Sequence, residues 1–126
     1  MTEHTTFRFG LIIRSLAYEH RSARSQLDVA MLAASLDLDL RLYFVGEAVM
    51  QLVSRDDHHS ALLPAGYRAW ASLPELVEQA GLITFAEPGW LARLQQKNIK
   101  PCLDLVPADS AQMRKDWGSC DRLLLL

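Results

Sequence analysis

Nonpolar runs alternate with amphipathic stretches along the whole chain. Phe7 to Ser15 predicts a strand, with Phe9, Leu11, Ile12 and Ile13 forming a nearly continuous apolar run suited to cover on both faces. Ser22 or Ser25 can cap a helix reaching about Leu36, because Ala23, Leu27, Ala30, Met31 and Ala34 recur at helical spacing. Val29, Leu32, Ala33 and Leu36 spread apolar character onto its other faces, which calls for a second burial surface, expected from another subunit. Leu40 to Val45 predicts a second strand and Glu47 to Val53 a short helical stretch. Ser54 to Gly66 is the one long irregular segment. Tyr67 to Leu73 can be helical, and Ser72 and Glu75 have capping-box spacing around Pro74, opening a helix or kink that ends at Gly81.

The second half repeats the alternation. Leu82 to Ala86 predicts a strand, Pro88 to about Asn98 a helix, and Pro101 to Val106 a fourth strand. Ala108 to Trp117 predicts a helix stopped by Gly118, and Cys120 to Leu126 a fifth strand with four consecutive leucines. Strands and helices in alternation with short joins predict a parallel sheet with helices on both faces: an α/β fold in three layers.

At 126 residues the chain is expected to form one domain spanning 1–126. Half of its residues are hydrophobic and the net charge is −2, which describes a globular protein without the basic footprint of a nucleic-acid binder. The amino-terminal residues lack a secretory pattern and no apolar segment approaches ~20 residues, so the cytoplasm, with both thiols reduced, is the expected compartment.

Ligands of open parallel sheets bind at the carboxyl ends of the strands. The loops there are Ser15 to Arg21, Gly46 to Glu47 and Glu87 to Gly89, and none has a glycine-rich phosphate-binding pattern. No cofactor is expected. Asp56, Asp57, His58 and His59 are adjacent rather than spaced to converge, which reads as a solvated loop without a structural metal. Cys102 and Cys120 each open a predicted strand, where a buried thiol acts as a small hydrophobe. Cys120 is the weak catalytic candidate, since Lys115 and Arg122 can stabilise a thiolate if they lie close. His20 in the first loop reads as a surface residue. Trp70, Trp90 and Trp117 sit on predicted helices, and Trp90, Trp117, Met31 and Met50 are the candidate interface residues.

The stretch Leu42-Tyr43-Phe44-Val45-Gly46-Glu47-Ala48-Val49-Met50-Gln51-Leu52 resembles the DsrE/DsrF-like proteins, closest to the TusC/DsrF subunit. Glu47, Val49, Gln51 and Leu52 fit that pattern, while Ala48 replaces a glycine and Met50 an aromatic. Leu27-Asp28 and the ending Cys120-Asp121-Arg122 also fit, and the resemblance runs from Phe7 to Leu126. It implies a three-layer α/β/α sandwich with a five-stranded parallel sheet, the last strand lying against the first and far from the fourth. It also implies a place in sulfur relay. In that system TusB, TusC and TusD form a heterohexamer that passes persulfide sulfur from a TusA-type carrier towards TusE and on to the wobble uridine of transfer RNA. Related proteins of sulfur oxidisers handle sulfur in dissimilatory metabolism.

In the family's carrier subunit the persulfide cysteine follows the third strand. Here that place reads Glu87-Pro88-Gly89, and the first loop, Ala17-Tyr18-Glu19-His20, keeps only Tyr18 of the family pattern. The resemblance therefore implies a non-catalytic structural subunit, partnered by TusB-like and TusD-like subunits, reaching TusE-like and TusA-like carriers only indirectly, and self-associating when alone. The alternatives are a stand-alone thiol-dependent sulfur carrier using Cys120, or a small flavodoxin-like binding module.

Overall fold

The structure, a computed structural model, describes residues 7–14, 21–36, 39–53, 70–71, 73–74 and 82–125, with only the backbone for 21–27. The first loop with Tyr18 and His20, the Ser54 to Gly66 segment with Asp56 to His59, and the Ser72, Glu75 and Gly81 helix signals lie outside the described residues. Strand β1 (Arg8–Ile13) leads to helix α1 (Arg21–Ser35), strand β2 (Asp39–Phe44) and a 3-10 helix (Gly46–Leu52). Strand β3 (Leu82–Ala86), helix α2 (Pro88–Gln96), strand β4 (Leu105–Pro107), helix α3 (Ser110–Trp117) and strand β5 (Arg122–Leu125) complete the order. The five strands form one parallel sheet in the order β4-β3-β2-β1-β5.

That order sets the layers. Steps from β1 to β4 all run one way across the sheet, so right-handed crossovers put their connecting segments on one face. The last crossover returns past β1 and puts α3 on the other face. Strand alternation divides the side chains accordingly. Leu11 and Ile13 of β1 and Leu40, Leu42 and Phe44 of β2 enter the main core with Ala30, Ala33 and Ala34 of α1, Leu52, Trp70, Leu73 and Leu94. Three alanines at helical spacing let α1 lie close to the sheet. Ile12 and Tyr43 face the other way and pack with Ala108 and Met113, with Phe85, Trp117 and Cys120 at the margin.

Local signals fix the helix ends. In α2, Pro88 occupies the first turn, where a missing N–H costs nothing. Beyond its end Asn98 adopts φ 57°, and Ile99 N–H returns to Leu94 O at 2.9 Å. In α3, Asp109 accepts from Gln112 N–H while the Gln112 side chain accepts from Asp109 N–H, a reciprocal capping box.

Several boundaries differ from expectation. The fourth strand is Leu105–Pro107 rather than 101–106, because Cys102 N–H bonds Leu52 O at 2.9 Å and carries that segment onto the 3-10 helix before pairing with β3 begins. The first strand stops at Ile13. The last begins at Arg122, since Asp116, Trp117, Ser119 and Cys120 are tied up in the turn that closes α3. The second face of α1 is open where the sequence calls for a further burial surface: Leu32 and Leu36 are both 61% exposed, although Ala33 is buried.

Candidate functional site

Among the described residues, two places gather chemistry. The first is at the carboxyl end of the sheet, where the loops after β2 and β3 meet. Gly46 sits at φ 60°, a left-handed conformation that favours glycine, and starts the 3-10 helix. Its N–H donates to Glu87 Oε1 at 2.8 Å. Glu87 is the N-cap of α2, yet its side chain makes no cap bond there; it satisfies the orphan donor of the neighbouring element instead. The carboxylate thus clasps two loops together at the position that the sulfur-relay resemblance assigns to a thiol.

Just behind this loop, the residues resembling the family pattern have structural work. Val49 and Leu52 are buried in the core. Gln51 is buried and its Oε1 accepts from Trp70 Nε1 at 3.2 Å. Met50 and Trp90 come together in a shallow cleft of about 150 Å3 with Arg93, Lys97 and Ile99, the Arg93 guanidinium lying 4.8 Å over the Trp90 ring. Met31 is half-buried against the main core and does not line that cleft. Trp117 belongs to the opposite face, edge-on to Tyr43 at 6.0 Å. Its indole Nε1 is buried without a hydrogen-bond partner.

The second place is a polar network on the α3 face. Tyr43 is fully buried, stacked on Phe85 at 5.2 Å, and its hydroxyl donates to Asp116 Oδ2. Cys120 Sγ lies 3.3 Å from the same hydroxyl and 3.8 Å from the Asp116 carbonyl. Arg41 Nη1 stands 3.6 Å from Asp116 Oδ1, and Asp39 bridges Arg41 at 3.5 Å and Arg8 at 2.9 Å. Arg8 also donates to Ser119 Oγ at 2.9 Å, and its backbone N–H to Asp121 Oδ2 at 2.7 Å. The two guanidinium groups thus pair with the Asp39 and Asp116 carboxylates, while the Asp121 carboxylate holds the Arg8 backbone. Burial, reinforced by the hydrogen bond to Asp116, raises the Tyr43 hydroxyl well above the usual tyrosine range, so it acts as a fixed neutral donor. Gly10 makes room for the cluster: a side chain there would meet Cys120 Sγ at 2.7 Å and Leu123 Cδ1 at 2.6 Å.

The candidate thiol is thus half-buried beside the Tyr43 hydroxyl and the Asp116 backbone carbonyl, and neither Lys115 nor Arg122 hydrogen-bonds to it. Cys102 is elsewhere, with burial pushing its thiol up to about 11. The two cysteines are not joined, and β4 and β5 lie at opposite edges of the sheet. Among the described residues no three His, Cys, Asp or Glu side chains converge on a metal position. No described helix is long and apolar enough to cross a membrane.

The network is absent from the sequence reading, although β2 carries its signal. Asp39, Arg41 and Tyr43 alternate with Leu40, Leu42 and Phe44, which marks one face of that strand as polar.

A five-stranded parallel sheet with this order and these carboxyl-end loops defines a small α/β class. The DsrE/DsrF-like family matches residues 8–81, more than half of the chain, and the chain belongs to it. Among solved structures it is similar to the YchN protein from E. coli, with a TM-score of 0.69 over 95% of this chain and 99% of that one. At 15% identity the likeness is one of fold. No curated protein matches the sequence.

Proposed function

We propose that this chain is a non-catalytic structural subunit of a sulfur-relay complex of the TusBCD/DsrEFH type, supporting persulfide transfer towards 2-thiolation of the tRNA wobble uridine. The observation that carries the reading is the Glu87–Gly46 clasp. Persulfide transfer requires a thiolate that attacks a sulfane sulfur and then presents it. A carboxylate cannot do this, and here the carboxylate is committed to holding two loops together. The remaining thiols give the loop no substitute: Cys102 is kept protonated by burial, and Cys120 belongs to the network on the α3 face. The subunit's contribution is then shape, bringing TusB-like and TusD-like partners to a carrier that another chain supplies, with TusE-like and TusA-like proteins reached through them.

Co-expression with the related subunits of the same organism, followed by native mass spectrometry, tests the assembly. Incubation of the pure chain with a persulfide donor and intact-mass measurement tests the absence of a carrier role. The expected result is a stable complex and no stoichiometric sulfur adduct. A monomer that loads one sulfur on Cys120 and hands it to a TusE-like acceptor would favour the stand-alone carrier instead.

A further inference from the structure

The two edges of the sheet are built differently. At one edge, β4 is three residues long and ends in Pro107, a short, proline-blunted strand that resists pairing. At the other edge, β5 is Arg122-Leu123-Leu124-Leu125, with no proline or lysine. We propose that β5 is a docking edge for a second copy of this chain, the two β5 strands pairing antiparallel about a two-fold axis. This goes beyond the sulfur-relay reading and rests on strand geometry alone.

The register follows from the hydrogen bonds. Asp39 N–H bonds Phe7 O and Val45 N–H bonds Ile13 O, so odd residues of β1 direct their backbone groups to β2. Even residues then face β5, and with Phe9 opposite Arg122 and Leu11 opposite Leu124, it is Arg122 and Leu124 that bond to β1. Leu123 and Leu125 direct their N–H and C=O groups outward to solvent, at the spacing that the backbone of another extended strand can take up. Pairing Leu123 of one copy with Leu125 of the other lets these groups exchange hydrogen bonds in both directions. The same register brings the side chains together. Leu123 and Leu125, 37% and 56% exposed, project from the α3 face and would cover their counterparts across the axis, while Leu124 meets Leu124 on the opposite face. A two-fold axis makes each edge its own complement, which is why a second copy is the occupant.

The experiment uses the full chain. Sedimentation equilibrium from low to high micromolar concentration should show a reversible monomer–dimer equilibrium. Amide exchange at Leu123 and Leu125 should slow as concentration rises, because no intrachain bond protects them. Leu125→Pro removes an outward N–H and leaves the β1 ladder intact, so it should weaken the dimer at least about tenfold without lowering the monomer's melting temperature. Leu125→Lys should do the same by charge repulsion across the axis. A chain that stays monomeric throughout, or a dimer that survives both variants, overturns the proposal. Loss of dimer on changing Trp90 alone, with Leu125→Pro unaffected, also overturns it by moving the contact to the Met50–Trp90 cleft. None of these outcomes depends on sulfur loading, so they separate this inference from the proposed function.

Discussion

Replacing Tyr43 by phenylalanine removes one oxygen from the centre of the polar network, and its cost should depend on pH. At pH 8 the hydroxyl donates to Asp116, and hydrogen bonds to charged groups contribute about 1.5–3 kcal/mol. The Asp116 side chain is 25% exposed and keeps Arg41 at 3.6 Å, so the loss falls towards the lower end, about 1–2 kcal/mol. The fold holds Tyr43 neutral far above the ordinary tyrosine pKa of about 10. Above pH ~10 the unfolded chain gives up a proton that the folded chain keeps, so the Tyr43 contribution is fully present below that pH and falls as pH rises, by up to about 1.4 kcal/mol per pH unit. The Tyr43→Phe variant has no such proton to lose. Urea unfolding of both proteins at pH 8 and pH 11 should therefore show a stability gap of about 1–2 kcal/mol closing by roughly 1.4 kcal/mol. The comparison cancels the alkaline titration of lysines and other tyrosines. A gap of the same size at both pH values would refute the claim that Tyr43 is a neutral donor fixed by burial and Asp116.

Other consequences are as direct. Glu87→Ala should cost about 1–2 kcal/mol in urea unfolding by stranding the Gly46 N–H, and Glu87→Gln, which keeps an acceptor, less than half of that. Gly46→Ala meets no atom within 4 Å but must hold φ 60°, so thermal unfolding should show a loss of about 1–2 kcal/mol from backbone strain alone. Iodoacetamide should modify Cys102 slowly at pH 8 and about tenfold faster per pH unit until near pH 11, as peptide mass spectrometry would record; a rate that levels off near pH ~8.5 would contradict the burial effect.

The order of elements was legible because each segment's periodicity is strong: β1, β2 and β3 read directly from runs such as Leu82 to Ala86, and α2 from Pro88 onward. What was not legible depended on contacts between segments. Pro101 to Val106 has strand composition, yet Cys102 is drawn to Leu52 O, and only its last residues reach β3. Cys120 opens an apolar stretch, but the turn closing α3 claims it first. The Asp109–Gln112 capping box was written plainly at the start of α3 and places that start two residues beyond the expected one. The resemblance did imply that β5 lies beside β1, but the Tyr43 network also needed the polar alternation of β2 and the turn after α3, which together bring residues 8, 39, 43, 116 and 120 to one place. For the candidate site, the sequence told which loop lacks a thiol. It did not tell that Glu87 commits its carboxylate to Gly46, because that bond joins two crossovers 41 residues apart.

The polar network and the bare β5 edge have one topological cause. Three crossovers share one face of the sheet, and among the described residues α3 is the element that covers the other. A helix with its side chains is about 10–12 Å across, whereas five strands span about 19 Å from first to last. One such helix cannot cover both margins. It sits over Ile12 and Tyr43, where Met113 packs, and leaves Val106, 43% exposed, at one edge and Leu123 and Leu125 at the other. The uncovered strand ends tolerate charge, and Arg8, Asp39 and Arg41 occupy them in mutual pairs. The uncovered leucines have no such solution among the described residues. Their apolar surface and the outward backbone groups of the same residues lie on one edge, so a single strand added there would satisfy both.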